Sequence, residues 1–151
     1  MSAQTDGLSD KAQANLDFIH ALHRNAEAQI EEAGELQDLD IEDGFAAYSE
    51  DTTFYYLGRE YKGYAGIREF LAPVSEYKQV LLDTIDIWAS DERVGLVINE
   101  QCERVSDGEK FDFVRNVIYK IVDEKITECW IWDYPCAWGI QEFHDKILAG
   151  A

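Results

Sequence analysis

VLLDTIDIWA (Val80–Ala89), VGLVINEQCERV (Val94–Val105), KFDFVRNVIYKIV (Lys110–Val122) and ITECWIWDY (Ile126–Tyr134) follow one another with only short polar breaks between them. Each run is rich in β-branched and aromatic residues, which favour a pleated, half-buried surface. Read together they are an antiparallel meander. Upstream, Thr52–Leu57 and Glu60–Lys62 make a hairpin bracketed by Gly58 and Gly63. Tyr64–Ala72 then reads as a helix that stops before Pro73. Further upstream, Leu16, Ile19, His23, Ala26 and Ile30 recur at steps of three and four, from a Ser9 N-cap to a stop at Gly34. Asp40 and Asp43 open a short second helix through Phe45, Ala46 and Tyr48. Helices followed by a run of long strands define an α+β fold, with the helices on one face of a curved sheet.

The 151 residues suit one domain, 1–151, with residues 1–8 a flexible tail and 137–149 a terminal helix carrying Ile140, Phe143 and Ile147. Apolar residues are 46% of the chain, enough for a core, which excludes global disorder. Against 13 Lys+Arg stand 31 Asp+Glu, a net charge of −18 that repels phosphate backbones and anionic lipid. Neither nucleic acid nor a membrane is expected as a partner. No secretory signal and no apolar run of membrane-spanning length is read. Cys102, Cys129 and Cys136 are odd in number and widely spaced, so neither a disulfide framework nor a zinc site is expected, and a cytoplasmic setting follows.

Counting outward from a two-residue turn at Asp107-Gly108 pairs Glu103 with Asp112, Gln101 with Val114, Asn99 with Asn116 and Val97 with Ile118. A turn at Asp123-Glu124 opposes Ile118 to Cys129, Asn116 to Ile131 and Val114 to Asp133. One face then carries acids and amides in an aliphatic setting. The reverse carries Ile98, Phe113, Val117, Tyr119, Trp130 and Trp132, with Glu100 and Arg115 as an outer cross-strand ion pair.

Three segments in order, Tyr48-Ser-Glu-Asp-Thr-Thr-Phe-Tyr-Tyr-Leu57, Tyr61-Lys-Gly-Tyr-Ala-Gly-Ile-Arg-Glu-Phe-Leu71 and Asp123-Glu-Lys-Ile-Thr-Glu-Cys-Trp-Ile-Trp-Asp133, resemble the nuclear-transport-factor-two-like superfamily. SnoaL-like polyketide cyclases, ketosteroid isomerase and limonene epoxide hydrolase belong to it. The resemblance implies a cone-shaped α+β barrel whose helices and concave sheet enclose a small-molecule pocket, often in a dimer packed through the sheet backs. By position it turns Phe54, Tyr56, Asn99, Gln101, Glu103, Asp112, Val114, Asn116, Ile118, Cys129, Ile131 and Asp133 inward, joined by His23. The tryptophan-rich reverse becomes a homodimer surface. Departures are visible too: Tyr56 stands where the isomerase has its Asp base, and Asn116 where it has its oxyanion-stabilising acid. The hydrolase's Asp-Arg-Asp set falls on Glu103, Gln101 and Ile131.

A carboxylate on an enclosed wall has its charged form disfavoured, which brings it toward useful proton transfer. Asp133 fits, with Glu103 or His23 as proton partner and Tyr56 with Asn116 as donors to a developing oxyanion. Asn99, Gln101, Phe54, Val114, Ile118, Ile131 and Cys129 complete a substrate wall. No ligand spacing for a metal and no GxGxxG, P-loop or GxSxG is present, so no metal and no cofactor is expected. The function read from this is a cofactor-free acid/base enzyme on a small, apolar oxygenated molecule, performing cyclisation, isomerisation or dehydration. The rival is a binding or dimerisation module without chemistry.

Overall fold

A computed structural model describes residues 7–33, 47–74, 76–134 and 138–149. In chain order the elements are α1 (Asp10–Ala33), β1 (Thr53–Tyr56), β2 (Arg59–Lys62), α2 (Gly63–Val74), β3 (Tyr77–Ala89), β4 (Arg93–Arg104), β5 (Lys110–Val122), β6 (Lys125–Asp133) and α3 (Trp138–Ala149). The strands form one six-stranded sheet in the order β2-β1-β6-β5-β4-β3. β3 to β6 are the expected meander, and β1 joins its edge parallel to β6, making the sheet mixed. The expected short helix after Asp40, the tail before Gly7 and Cys136 lie outside the described residues.

The helices share one side of this sheet. α1 starts where Ser9 Oγ accepts the Ala12 amide at 3.0 Å, and Asn15 ties it to the β3–β4 turn through the carbonyls of Ser90 and Asp91 at 3.1 and 3.0 Å. Its Leu16 and Ile19 are buried against β3 and β4. α2 lays Ile67 and Phe70 on β1 and β2, and runs through Pro73 to Val74, beyond its expected end. A proline in a last turn removes only one amide from the ladder. α3 packs Ile140, Phe143 and Ile147 over β5. No helix among the described residues is long and apolar enough to cross a membrane.

Two hairpin turns follow the expected chemistry. Leu57-Gly58 and Asp123-Glu124 each hold both central residues at positive φ, the primed geometry that matches strand twist. The β4–β5 connection does not. Arg104 pairs with Glu109, its side chain forks onto Asp107 at 2.7 and 3.0 Å, and Gly108 closes onto the Arg104 carbonyl at 2.8 Å. The loop is therefore four residues long and the register moves by two: Glu103 faces Lys110, Gln101 faces Asp112, Asn99 faces Val114 and Val97 faces Asn116.

The larger correction concerns which side faces the helices. β5 and β6 pair as expected at Val122↔Lys125 and Ile121↔Ile126, but the next pair is Lys120↔Glu128, leaving Thr127 as an extra residue. A β-bulge of this kind reverses the parity of everything beyond it. Cys129, Ile131 and Asp133 still face the helices as expected. Their partners are now Tyr119, Val117 and Arg115, and β4 contributes Ile98, Glu100 and Cys102 to the same side. Asn99, Gln101, Glu103, Asp112, Val114, Asn116 and Ile118 are on the outer face, whereas Ile98, Phe113, Val117 and Tyr119, expected outside, are core. Trp130 and Trp132 are outside as expected. Two further bulges, at Val80 and Ile85, bend β3 and give the sheet its curvature.

On the outer face the Trp88 ring lies over Gly95, its register partner. A Cβ there would overlap the indole, so Gly95→Val must expel Trp88 or part the strands. We expect a loss of about 1–3 kcal/mol by denaturant titration, with a red-shifted tryptophan emission. Unchanged stability and emission would show that the ring does not rest there.

Candidate functional site

Reversed parity on β4 and β5 gathers charges that the sequence reading had placed outside. Arg115 stands between Phe113 and Val117 on the inner face, directly paired with Asp133 on β6. Its Nε donates to Asp133 Oδ1 at 2.7 Å and its Nη2 to Oδ2 at 3.2 Å. Tyr56, buried on β1, donates its hydroxyl to Oδ2 and accepts from Arg115 Nη2 at 3.2 Å. His144 of α3 brings Nε2 to the same Oδ2 at 3.0 Å. On the far side Arg115 Nη1 lies 3.3 Å from Glu100 Oε2, while Gln79 donates to Glu100 Oε1 at 2.6 Å. The guanidinium is also held between the rings of Tyr56 and Phe113, at 5.4 and 5.1 Å.

The cluster is desolvated. The side chain of Asp133 is 0% exposed, that of Glu100 8% and that of Arg115 13%. Burial by itself would favour the neutral carboxyl of Asp133, but the Arg115 charge and the hydrogen bonds from His144, Arg115 and Tyr56 outweigh it and hold the group well below the usual carboxylate range. Asp133 is thus a fixed anion, opposite to the weakened, proton-exchanging carboxyl expected for it. Burial likewise opposes the charge on Arg115, yet Glu100 and Asp133 keep it protonated. Burial pushes the Tyr56 hydroxyl up; Arg115 opposes this and Asp133 reinforces it, so the group remains a proton donor. Two carboxylates face one guanidinium. The set carries one excess negative charge when His144 is neutral and balances when His144 holds a proton.

Beside this cluster lies a cavity of about 460 Å³, bounded by Tyr55, Tyr56, the Leu57-Gly58 turn, Arg59, Glu60 and the stretch Trp130–Asp133. It forms where β1 turns away into β2 while β6 continues for two more residues. Its walls are mainly aromatic and aliphatic, and Tyr56 and Asp133, their side chains almost fully buried, lie behind them.

Of the residues singled out in the sequence, Tyr56, Asp133 and Ile131 meet at this cavity. Phe54 and Cys129 are buried on the same face; Phe54 is packed between Tyr48 and Phe70, and burial pushes the Cys129 thiol up, leaving it inert. Glu103, Gln101, Asn99, Asn116, Val114 and Ile118 do not join them, being across the sheet. There Gln101 donates to Asp112 at 2.8 Å. His23 is inside but elsewhere: its Nε2 is 3.1 Å from Tyr119 Oη, and burial, then the neighbouring His20, push it down to about 4. Tyr119 is four residues from Arg115 along β5, roughly 13 Å. His23 instead borders a separate cavity of about 160 Å³ under α1.

Glu100 and Arg115 were expected as an ion pair on the outer face; they do pair, but on the inner face. His144 escaped the sequence reading, though a signal existed for Arg115 and His144. Arg115 interrupts the alternating Phe111, Phe113, Val117, Tyr119 stripe. His144 occupies the i+4 position of the Ile140, Phe143, Ile147 stripe, where a surface residue does not belong. Among the described residues no group of three or more His, Cys, Asp or Glu side chains is placed to hold a metal ion.

The sequence matches no protein-family model and no curated protein. Solved structures do match. A candidate polyketide cyclase from Xanthomonas campestris pv. campestris superposes with a TM-score of 0.68 at 16% identity, over 91% of this chain and 99% of its own. An NTF2-like protein from Burkholderia xenovorans LB400 gives 0.59 at 18% identity, over 85% and 93%. SalBIII, an epoxide hydrolase/cyclase-like enzyme with a role in pyran-ring formation in the polyether salinomycin, gives 0.61 at 12% identity, over 82% and 92%. The fold is therefore that of the NTF2-like, SnoaL-like proteins.

Asp133→Asn keeps the shape and removes the charge, stranding Arg115 beside Glu100 alone. A loss of about 3–5 kcal/mol at neutral pH is expected. Because the folded state holds the Asp133 carboxyl below its ordinary range, its stabilisation is complete above the unfolded carboxyl value, about 3.9, and is lost as pH falls below it. Wild-type stability should drop more steeply than that of the variant below about pH 4. Parallel curves from urea titrations across that range would contradict the assignment.

Proposed function

We propose that this chain is a cofactor-free acid/base enzyme that protonates an oxygen of a small, largely apolar molecule during cyclisation, isomerisation or dehydration. The observation that carries the reading is a continuous hydrogen-bonded path, Tyr56 hydroxyl to Asp133 Oδ2 to His144 Nε2, with its tyrosine end at the wall of the 460 Å³ cavity. Tyr56 gives its proton to a leaving or ring oxygen and recovers one from the reacting molecule or from water in the cavity, while Asp133 stays ionised and, with His144 behind it, holds the hydroxyl in place. Arg115 keeps Asp133 ionised and in place, and its Nη2 supports charge that develops on the Tyr56 oxygen. Acid–base groups placed in this way contribute about 10²–10⁴-fold to rate. The polyketide cyclase and epoxide hydrolase/cyclase-like descriptions of the structural neighbours support this class of chemistry.

A second reading, ligand binding without chemistry, is favoured by one feature. Asp133 receives four hydrogen bonds, enough to make the cluster a purely structural hub. Two further parts of the reading concern setting. The unpaired, buried Cys102 and Cys129 support a cytoplasmic location. The outer face, with Trp132 52% exposed and Trp88 45% exposed beside the Tyr55–Trp130 stack, supports a homodimer through the sheet back. A dimer by sedimentation that Trp132→Lys converts to monomer is the expected result, and a wild-type monomer would refute it.

The chemistry is tested on a panel of small epoxides, cyclic ethers and polyketide-type ketones. Tyr56→Phe should cut turnover by about 10²-fold or more with the fold retained. Turnover in Tyr56→Phe equal to wild type would remove Tyr56 as the proton donor. Ligand binding with no turnover of any panel member would establish the second reading.

A further inference from the structure

The cavity beside Tyr56 has a cationic corner that the proton transfer does not use. Arg59 opens β2 directly opposite Tyr56 in the hairpin register, so it shares the face of Tyr56, and it lines the cavity. The residue is half-buried. Its Nη1 is cut off from solvent and has no hydrogen-bond partner, and the guanidinium makes no ion pair with any described residue. Glu60, its neighbour, also lines the cavity, but from the other side of the strand, the side of Tyr55 and Trp130, and is exposed.

An unmatched, partly desolvated guanidinium is costly. It is the more conspicuous in a chain with 31 acidic residues against 13 Lys+Arg, because none of the described carboxylates forms an ion pair with it. Arg115, the other arginine near this cavity, shows the contrast: it is matched by Glu100 and Asp133. Apart from the exposed Glu60 and the Asp133 already matched by Arg115, the rest of the wall is mainly flat or apolar, with Tyr55, Trp130, Trp132 and Ile131. A guanidinium is a planar fork that fits a carboxylate through two parallel hydrogen bonds. A volume of about 460 Å³ is within the range of small-ligand pockets.

We propose that the cavity takes a planar, largely apolar molecule bearing a carboxylate, with the carboxylate on Arg59, the ring system along Trp130 and Trp132, and the reacting oxygen toward Tyr56. Arg59 is then the residue that selects the substrate class and sets its direction in the pocket. This deepens the proposed function and rests on it for the reacting end only. The anionic anchor stands on Arg59 and the cavity whether or not chemistry follows.

The test is a binding measurement on the full chain with 2-naphthoate and its uncharged methyl ester, followed by tryptophan quenching and calorimetry. The acid should bind wild type about tenfold tighter than the ester or better. Arg59→Gln should abolish that preference while leaving ester affinity within about twofold. Arg59→Lys keeps the charge but not the fork; it should retain a reduced preference, and it supplies the comparison if the glutamine variant folds poorly. Equal affinities in wild type, a preference unchanged in both variants, or no binding of either probe would overturn the proposal. Because the readout is binding, it stands apart from the proton transfer: Tyr56→Phe can fail its kinetic test while the Arg59 preference holds, and the reverse.

Discussion

A carboxylate with no access to water must have its charge matched by the protein around it. Asp133 meets that condition through Arg115, and the pairing constrains much of the fold. The two residues come from adjacent strands and meet only because Thr127 is an extra residue in β6. Without the bulge Asp133 would oppose Val114, and Arg115 would face away. The bulge thus places the guanidinium between Glu100 and Asp133, and the rings of Tyr56 and Phe113 hold it there. α3 completes the arrangement with His144, which joins the docking of a terminal helix to the ionic centre of the sheet.

The same bulge explains what could be read in advance. Element types and their order follow from local pattern: the helical stripe of Leu16 and Ile19, the β-rich runs from Val80 to Tyr134, and positive-φ turns at Leu57-Gly58 and Asp123-Glu124. These survive because each depends on neighbours in sequence, although the first hairpin turns one residue earlier than expected, at Leu57-Gly58 and not after Leu57. The identity of the inner face does not. Thr127 carries no local mark of a bulge, yet one extra residue changes the parity of every cross-strand pair beyond it. Hence Asp133, Ile131 and Cys129 were rightly placed inside, while Asn99, Gln101, Glu103 and Asn116 were assigned to the wrong side. The stripe Phe111, Phe113, Val117, Tyr119 was a sign of the true face, with Arg115 as its single polar member. Tyr56 was legible because its hairpin is short and its register is set by a two-residue turn. His144 was not, because an apolar stripe draws attention to its aliphatic members.

The proposed chemistry would draw on the same cluster that stabilises the fold. Asp133 is too strongly held as an anion to exchange protons freely by itself, and that fixity lets it orient Tyr56 on one side and His144 on the other. Arg115 supplies the charge that makes it possible, and so cannot serve as a substrate anchor. Arg59, one strand from Tyr56 and unmatched, is free to do so. The two arginines divide the work by their surroundings: one neutralised inside the network, one left open on a cavity wall.

The central claim is that Asp133 is a buried carboxylate kept ionised by Arg115, and the most direct measurement is the carbon-13 chemical shift of its side-chain carboxyl followed by NMR as the pH is lowered. The account predicts an ionised shift that persists well below the ordinary aspartate value of about 3.9 for as long as the fold survives, together with an Arg115 Nε–H protected from exchange. A carboxyl that titrates near that ordinary value in the folded protein, with a rapidly exchanging Arg115, would contradict it.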